Sequence, residues 1–356
     1  MRNNKIRVAV VFGGQNGEHT VSCESAASIL THLDRSRYDV VPVKIEPDGT
    51  WIVGADDPAV FGAGDHAVHR FLTDDFASTY AAGSTALSGI PHALDQLRDV
   101  DVIFPALHGP YGEDGTLQAM LAMLRTPFVG NGVLASAVGM DKEYTKKLLD
   151  AAGLSVADGV VLGRERDVPS DDERSRLGLP VFVKPARAGS SVGVSRVDSW
   201  DMLPDAVGAA RESDRKVLVE AAMTGREVDL GVLERPDGTT DVSPPLEIKL
   251  SGSQSLFDFD AKYSDSGAAS FEVPADLDPG TTEHLRDLSR RAFDALECTG
   301  LLRVDFFVGD DGAAVVNEVN TFPGFTANSQ YPRMWRAAGL DYPELLDTLI
   351  ETALSR

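Results

Sequence analysis

The stretch 301–324, LLRVDFFVGDDGAAVVNEVNTFPG, decides how the chain is read. Two runs alternate with period two on either side of Gly309-Asp310-Asp311-Gly312, and Asp-Gly is a favoured dipeptide for a tight hairpin turn. Leu302, Val304, Phe306 and Val308 fall on one face of the first run, so Arg303 and Asp305 fall on the other. Glu318 and Asn320 share a face in the second run. With Asp311-Gly312 as a two-residue turn, Asp310 faces Ala313, Asp305 faces Glu318 and Arg303 faces Asn320. Four polar side chains then form one patch on an otherwise apolar hairpin. Carboxylates placed opposite one another repel unless something positive lies between them. Oxygen donors from Asp, Glu and Asn suit a hard cation such as Mg2+, which takes one or two carboxylates plus substrate phosphates. The alternative is the solvated face of an ordinary hairpin.

The totals fit that frame. The 356 residues suggest two or three compact domains, and 43% hydrophobic with 25% charged residues is an ordinary globular composition. No run approaches 18 apolar residues, so no membrane span is expected. The opening MRNNKIRVAVVFGG passes directly into a strand and lacks the pattern of a signal peptide. Cys23 and Cys298 are the only cysteines, which supports neither a disulfide framework nor a zinc site and gives a reducing, cytoplasmic setting as the default. The net charge of −22 argues against general nucleic-acid binding. It also requires any phosphate-bearing ligand to meet its cations, glycine-loop amides and metal at one place.

Outward from the hairpin, residues 6–12 (IRVAVVF) read as a buried strand. A glycine turn follows, with Glu18 at its end, and then a helix bearing Ala26, Ile29, Leu30 and Leu33 at helical spacing. The turn lacks the G-x-G-x-x-G spacing of a dinucleotide fingerprint. Glu18 either serves a ligand there or favours the helix N-terminus through the macrodipole. Residues 40–45 and 100–107 read as further strands, and 53–68 as irregular surface. His108 to Gly115 forms a second glycine-rich turn, followed by a helix with Leu117, Met120, Leu121 and Leu124 on one face. His108 taken alone reads as a structural histidine. Residues 139–153 read as one helix and 163–178 as a solvated connection. The segment 181–197 reads as a hairpin whose tip carries Lys184, Gly189, Ser190, Ser191 and Gly193. Such small residues let backbone amides approach phosphate oxygens. A plain glycine-serine hairpin is the other reading. Residues 217–220 and 228–233 are strand-like, and a helix spans about 282–297. The polar, aromatic-bearing stretch 250–270 has the character of a lid.

Several motifs in order then resemble one family. They are VFGGQNGEHTVS at 11–22, LHGPYGEDGTLQ at 107–118, GMDKEYTK at 139–146, VFVKPARAGSSVGVSRV at 181–197, VEAAMTGRE at 219–227, DFDAKY at 258–263, and LLRVDFFV with NEVNTFPGFT across 301–326. Together they resemble the D-alanine–D-alanine ligases among the ATP-grasp enzymes, over essentially the whole chain. The resemblance implies a mixed α/β and α+β fold of three domains: an N-terminal α/β domain at 1–130, a central domain at 131–224 and a C-terminal domain at 225–356. ATP would lie between the last two. It implies that Lys142, Lys184 and Ser191 meet ATP phosphates with Lys262 nearby, that Glu220 and Met223 hold the adenine, and that Glu227 holds the ribose. Asp305, Glu318 and Asn320 would bind two Mg2+ ions, with Mn2+ as a substitute. Glu18 would hold the first D-amino acid, in a network with Ser190 and Tyr263. Arg303 and the Gly324 amide would stabilise the oxyanion. Ser329 would meet the second substrate's carboxylate, with His108 on the same side. The partners implied are ATP and D-alanine, with a homodimer as the usual assembly.

One departure stands out. The family usually carries Leu or Met where this chain has Gln330, while relatives that accept D-lactate or D-serine tend to be polar there. Those relatives usually lose the Lys-Tyr of the lid, which is present here as Lys262-Tyr263. The main expectation is a ligase making D-alanyl-D-alanine for peptidoglycan precursors. The rivals are a paralogue with another second substrate, such as D-serine, D-lactate or another D-amino acid, serving resistance or self-protection, and a catalytically dead nucleotide-binding relative.

Overall fold

The computed structural model describes residues 5–80, 86–189, 192–250 and 269–356. Within them, three consecutive stretches of chain build three sheets. The first contains β1 (Ile6–Gly13), β2 (Tyr38–Ile45), β3 (Trp51–Val53) and β4 (Val102–Pro105), in the order β3-β2-β1-β4. Its central strand β1 runs parallel to both β2 and β4. It is apolar on both faces because helices cover both, as parallel strands require. The second sheet has β5 (Gly159–Leu162), β6 (Val181–Pro185), β7 (Ser195–Val197) and β8 (Val217–Ala221), ordered β5-β8-β6-β7. The third contains β9 (Arg226–Glu234), β10 (Thr240–Val242), β11 (Leu246–Leu250), β12 (Ala269–Glu272), β13 (Leu301–Val308) and β14 (Ala314–Asn320). Its order is β12-β11-β9-β13-β14, with β10 also on β9.

The period-two pattern splits this third sheet into two chemistries. Val228, Leu230 and Val232 on β9 and Leu302, Val304, Phe306 and Val308 on β13 are buried on one face, against the helix Pro279–Ala295. Each such side chain contributes about 1.5–3 kcal/mol on leaving water. The opposite face carries Glu227 and Asp229 on β9 and Arg303 and Asp305 on β13. The helices Val133–Met140 and Lys142–Ala151 join this same core, through Ala135 and Leu149.

The expected pairing of the hairpin is present: Arg303 faces Asn320 and Asp305 faces Glu318. The turn differs. Val308 pairs with Ala314, and Gly309 N–H donates to Ala313 O at 2.8 Å. The loop is therefore three residues, Asp310 to Gly312, with Gly312 at φ +79°, a conformation glycine adopts without strain. This sets the tip one residue out of step. A β-bulge next to Asp305 and Phe306, with Asn317 as the extra residue, restores the register.

Four other expectations need correction. The region 53–68 is not irregular throughout: Pro58–Phe61 and Asp65–Arg70 are helical. Asp57 caps the first of these by accepting from the amides of Ala59 and Val60, and Phe61 and Val68 are buried. The connection 163–178 contains the helix Asp171–Leu177, started by a Ser170–Glu173 capping box. The single helix expected from Gly139 is two, because Asp141 is extended and caps the second by accepting from Glu143 N–H. The strand expected over 100–107 is only Val102–Pro105.

Two ties set the first sheet against the third. Asn131 is buried and its amide is fully engaged: Nδ2 donates to Leu301 O (2.7 Å) and Thr321 O (2.8 Å), and Oδ1 accepts from Thr299 N–H (2.9 Å). The helix Tyr342–Leu354 packs into the core of the first sheet, and the Tyr38 hydroxyl donates to Asp347 Oδ1 at 2.7 Å.

Candidate active site

A cleft of about 460 Å³ opens between the second sheet and the polar face of the third. On the second-sheet side, Glu220 is 3% exposed and lies between two lysines. Lys184 Nζ is 2.6 Å from its Oε2, and Lys146 Nζ is 2.6 Å from its Oε1 without hydrogen-bond alignment. Burial pushes the Glu220 carboxyl up, but the two ammonium groups outweigh it and hold the group ionised, below the ordinary value. Lys146 is pushed down to about 8 by burial first and by the charge of Lys184 second. Met223 lines the same wall and Glu227 the facing one.

Lys142 begins the helix capped by Asp141. Its N–H donates to Ala186 O (3.0 Å) and its Nζ to Ala188 O (2.8 Å), which binds the helix to the loop after β6. Its Nζ also stands 3.9 Å from Glu318 Oε2. Lys216 holds Asp141 through both carboxylate oxygens, at 2.7 and 2.6 Å. Lysines 142, 146 and 184 thus concentrate positive charge at one place in a chain of net charge −22.

On the third sheet, Asp229, Asp305 and Glu318 lie in one row across β9, β13 and β14. Arg303 is the positive group among them. Its Nε and Nη2 fork onto Asp305 at 2.7 Å each, and Nε lies 3.6 Å from Asp229. Burial alone would lower the Arg303 pKa, but Asp305, Asp229 and Glu318 raise it further, so it is a fixed cation. Asn320 Nδ2 donates to Asp305 at 3.0 Å. Among the described residues no group of three or more His, Cys, Asp or Glu is placed to hold a metal ion. The donor set here is two carboxylates and an amide, all oxygen ligands, facing the lysines across the cleft. That set fits a hard cation completed by phosphate oxygens.

At the first sheet, Glu18 precedes the helix His19–His32, and its carboxylate lies against two glycines. A Cβ on Gly109 would stand 2.2 Å from Glu18 Oε2, and one on Gly189 3.0 Å. His108 is buried with both ring nitrogens engaged. Nδ1 lies 3.3 Å from Phe322 O, which can only accept, so Nδ1 carries the proton. Nε2 then accepts from Ser25 Oγ (2.8 Å), which in turn accepts from Phe325 N–H (3.3 Å). This chain fixes the segment after β14, where Gly324 lies beside Ser329. Ser329 Oγ is held by the Thr326 amide and hydroxyl, at 3.0 and 2.8 Å.

Residues 7–131 match the D-ala D-ala ligase N-terminus family, and residues 148–351 the D-ala D-ala ligase C-terminus family. The chain is 54% identical over 360 residues to a D-alanine–D-alanine ligase of Nocardia farcinica, covering 99% of this chain and 98% of the relative. The chain belongs to the D-alanine–D-alanine ligase family. Solved structures agree: a D-alanine-D-alanine ligase from Coxiella burnetii has TM-score 0.80 at 32% identity, covering 99% of this chain and 94% of that one. The VanG D-Ala:D-Ser ligase from Enterococcus faecalis has TM-score 0.81 at 30% identity, covering 98% and 99%. The protein is therefore an enzyme, with the mixed α/β architecture of this ligase family, whose catalysis uses ATP and magnesium.

In this ligase the cleft brings together Lys142, Lys184, Glu220, Met223, Glu227, Arg303, Asp305, Glu318 and Gln330. Glu18, His108, Gly324 and Ser329 lie beyond it, around the joint of the first and third sheets. Ser190, Ser191, Lys262, Tyr263 and nearly all of the lid stretch 250–270 lie outside the described residues. Sequence reading missed three charged groups. Lys146 and Glu113 sit within the quoted motifs. Asp229 alternates with Glu227 and is the one charged position in the run Val228 to Leu233, which was the available signal.

Glu113 accepts from Gly109 N–H at 2.7 Å and is pushed up to about 8, by burial first and by the Glu18 charge second. The folded pKa exceeds the ordinary 4.5, so the folded state retains a proton that the unfolded chain releases. Its stabilising contribution is complete below the unfolded value and is lost as pH rises to about 8. Melting temperature should therefore fall more steeply over this window in the wild type than in Glu113→Gln, which mimics the protonated group. Parallel melting curves against pH would contradict the assignment.

Proposed function

We propose that this enzyme joins two D-alanine molecules to D-alanyl-D-alanine at the expense of ATP, in the cytoplasm, for peptidoglycan precursors. The observation that carries the proposal is the cleft, where Lys142 and Lys184 face the Arg303–Asp305–Glu318–Asn320 patch. The carboxylate of the first D-alanine attacks the γ-phosphorus of ATP, giving an acyl phosphate and ADP. The amine of the second D-alanine then attacks the acyl carbon and loses a proton, and inorganic phosphate leaves. Glu18 holds the first ammonium, and Lys142 and Lys184 neutralise the phosphates. Glu220 and Met223 hold the adenine and Glu227 the ribose. Arg303 and the Gly324 amide receive the oxyanion, and Ser329 receives the second carboxylate. Asp305, Glu318 and Asn320 would hold two Mg2+ ions, or Mn2+, which neutralise and orient the phosphates when bound. Ser190, Ser191, Lys262 and Tyr263 complete the reading from the lid and the loop tip. Positioning and preorganised charge supply most of the acceleration. The chain works as three domains, 1–130, 131–224 and 225–356, and as a homodimer.

The test is ADP release over a panel of D-amino and D-hydroxy acids with Mg2+, with product masses identified. A mass for D-alanyl-D-alanine is expected, and absence of ADP release with D-alanine would sink the proposal. A second reading, a ligase taking D-serine, D-lactate or another D-amino acid second, is favoured by polar Gln330. Its sign would be a mixed product of larger mass formed in preference.

A further inference from the structure

We propose that Asp229 and Gln330 form a positioning pair that aims Arg303, so that Gln330 acts on the second step through the guanidinium rather than by touching the acceptor. The inference rests on the ligase reading above.

Asp229 is 2% exposed on the cleft face of β9, directly opposite Asp305. Gln330 is the first residue of the helix Gln330–Ala337. Its Nε2 donates to Asp229 Oδ2 at 2.9 Å, and its Oε1 accepts from Arg303 Nη1 at 3.2 Å. The amide fits only one way round. A carboxylate can only accept and a guanidinium can only donate, so reversing the amide would oppose acceptor to acceptor and donor to donor. The chain Asp229–Gln330–Arg303 therefore has a fixed direction.

Its effect on Arg303 follows from the five N–H groups of a guanidinium. Asp305 takes two of them, along the edge formed by Nε and Nη2. Gln330 takes one from Nη1. Two N–H groups remain, one on each Nη, for an oxyanion, and two anchors on separate elements hold the plane of the fork. Asp305 alone would leave the guanidinium hinged about one edge. An apolar residue at 330 would remove both the second anchor and a donor to a buried carboxylate.

The experiment is an isosteric exchange of charge. Gln330→Glu sets a carboxylate against Asp229 and abolishes the hydrogen bond between them. Adding Asp229→Asn restores a bond of reversed direction at the wild-type net charge. The amide introduced on β9 donates to the carboxylate introduced at position 330, and that carboxylate still accepts from Arg303. The single Gln330→Glu variant should lose about 10- to 100-fold in kcat, as misaimed groups do, with the KM for ATP nearly unchanged. The double variant should recover to within about threefold of wild type, because only coupled residues depart so far from additivity. Wild-type kcat in Gln330→Glu, or a double variant no better than it, would overturn the proposal. If Gln330→Glu does not fold, uncharged Gln330→Met should show the same fall in kcat with the KM for ATP unchanged, and wild-type kcat there would overturn it equally. If the wild-type enzyme forms no product at all, the ligase reading has failed separately. Urea unfolding of the two singles and the double then tests the pair by itself, and additive stabilities would overturn it.

Discussion

Glu318→Gln should reduce magnesium-dependent ADP release by roughly a hundredfold or more while the fold stays intact, a loss of the size seen when one preorganised charge-stabilising group is removed. The replacement preserves shape and removes only charge. Glu318 lies opposite Asp305 and 3.9 Å from Lys142 Nζ, so it is placed between a neighbouring acid and a cleft lysine. Its side chain is 26% exposed, so no buried charge is left stranded. Neutralising it also relieves repulsion with Asp305. Melting temperature should therefore hold or rise slightly as turnover falls, and part of the loss should return at high magnesium. Wild-type turnover at every magnesium concentration would mean that the acid row is not a metal site.

Arg303→Lys should cost turnover on the same scale, for a different reason. Lysine keeps a positive charge beside Asp305 but cannot fork onto it and also reach Gln330. The protein should fold, because the acid row still has a cation among it. Arg303→Met removes that cation and leaves Asp305 and Asp229, both buried, without it. The expected cost is about 3–5 kcal/mol of stability, as for breaking a buried ion pair from one side. Urea unfolding of both variants, with ADP release measured on the folded fraction, separates charge from geometry. Near-normal turnover in the Lys variant would show that charge alone suffices.

The pairing of Asp305 with Glu318 was readable in the sequence because strand alternation is local and strict. It was read through the wrong turn, and the agreement survives because a bulge offsets the longer loop. The helices at 58–70 were overlooked because they are short, although Asp57-Pro58 is a legible start signal. Asp229 went unremarked because its importance comes from a neighbour about a hundred residues away, and a strand pattern records faces rather than partners. The same holds for Lys146, which becomes notable only when β8 brings Glu220 beside it. The carbonyl and hydroxyl partners of His108 were not readable, because they come from separate elements.

The bulge at Asn317 has a consequence for variation in the hairpin. A two-residue loop with no bulge and a three-residue loop with one deliver the same four side chains to the same places. The tip and the acid row are thus decoupled, like two gears joined by an idler. What the chemistry constrains is which residue stands opposite Asp305, not the number of residues between it and the tip. Deleting Asn317 should remove the bulge and leave the row intact, because Val316 stays opposite Phe306 and Glu318 then follows it directly, still opposite Asp305 on the cleft face.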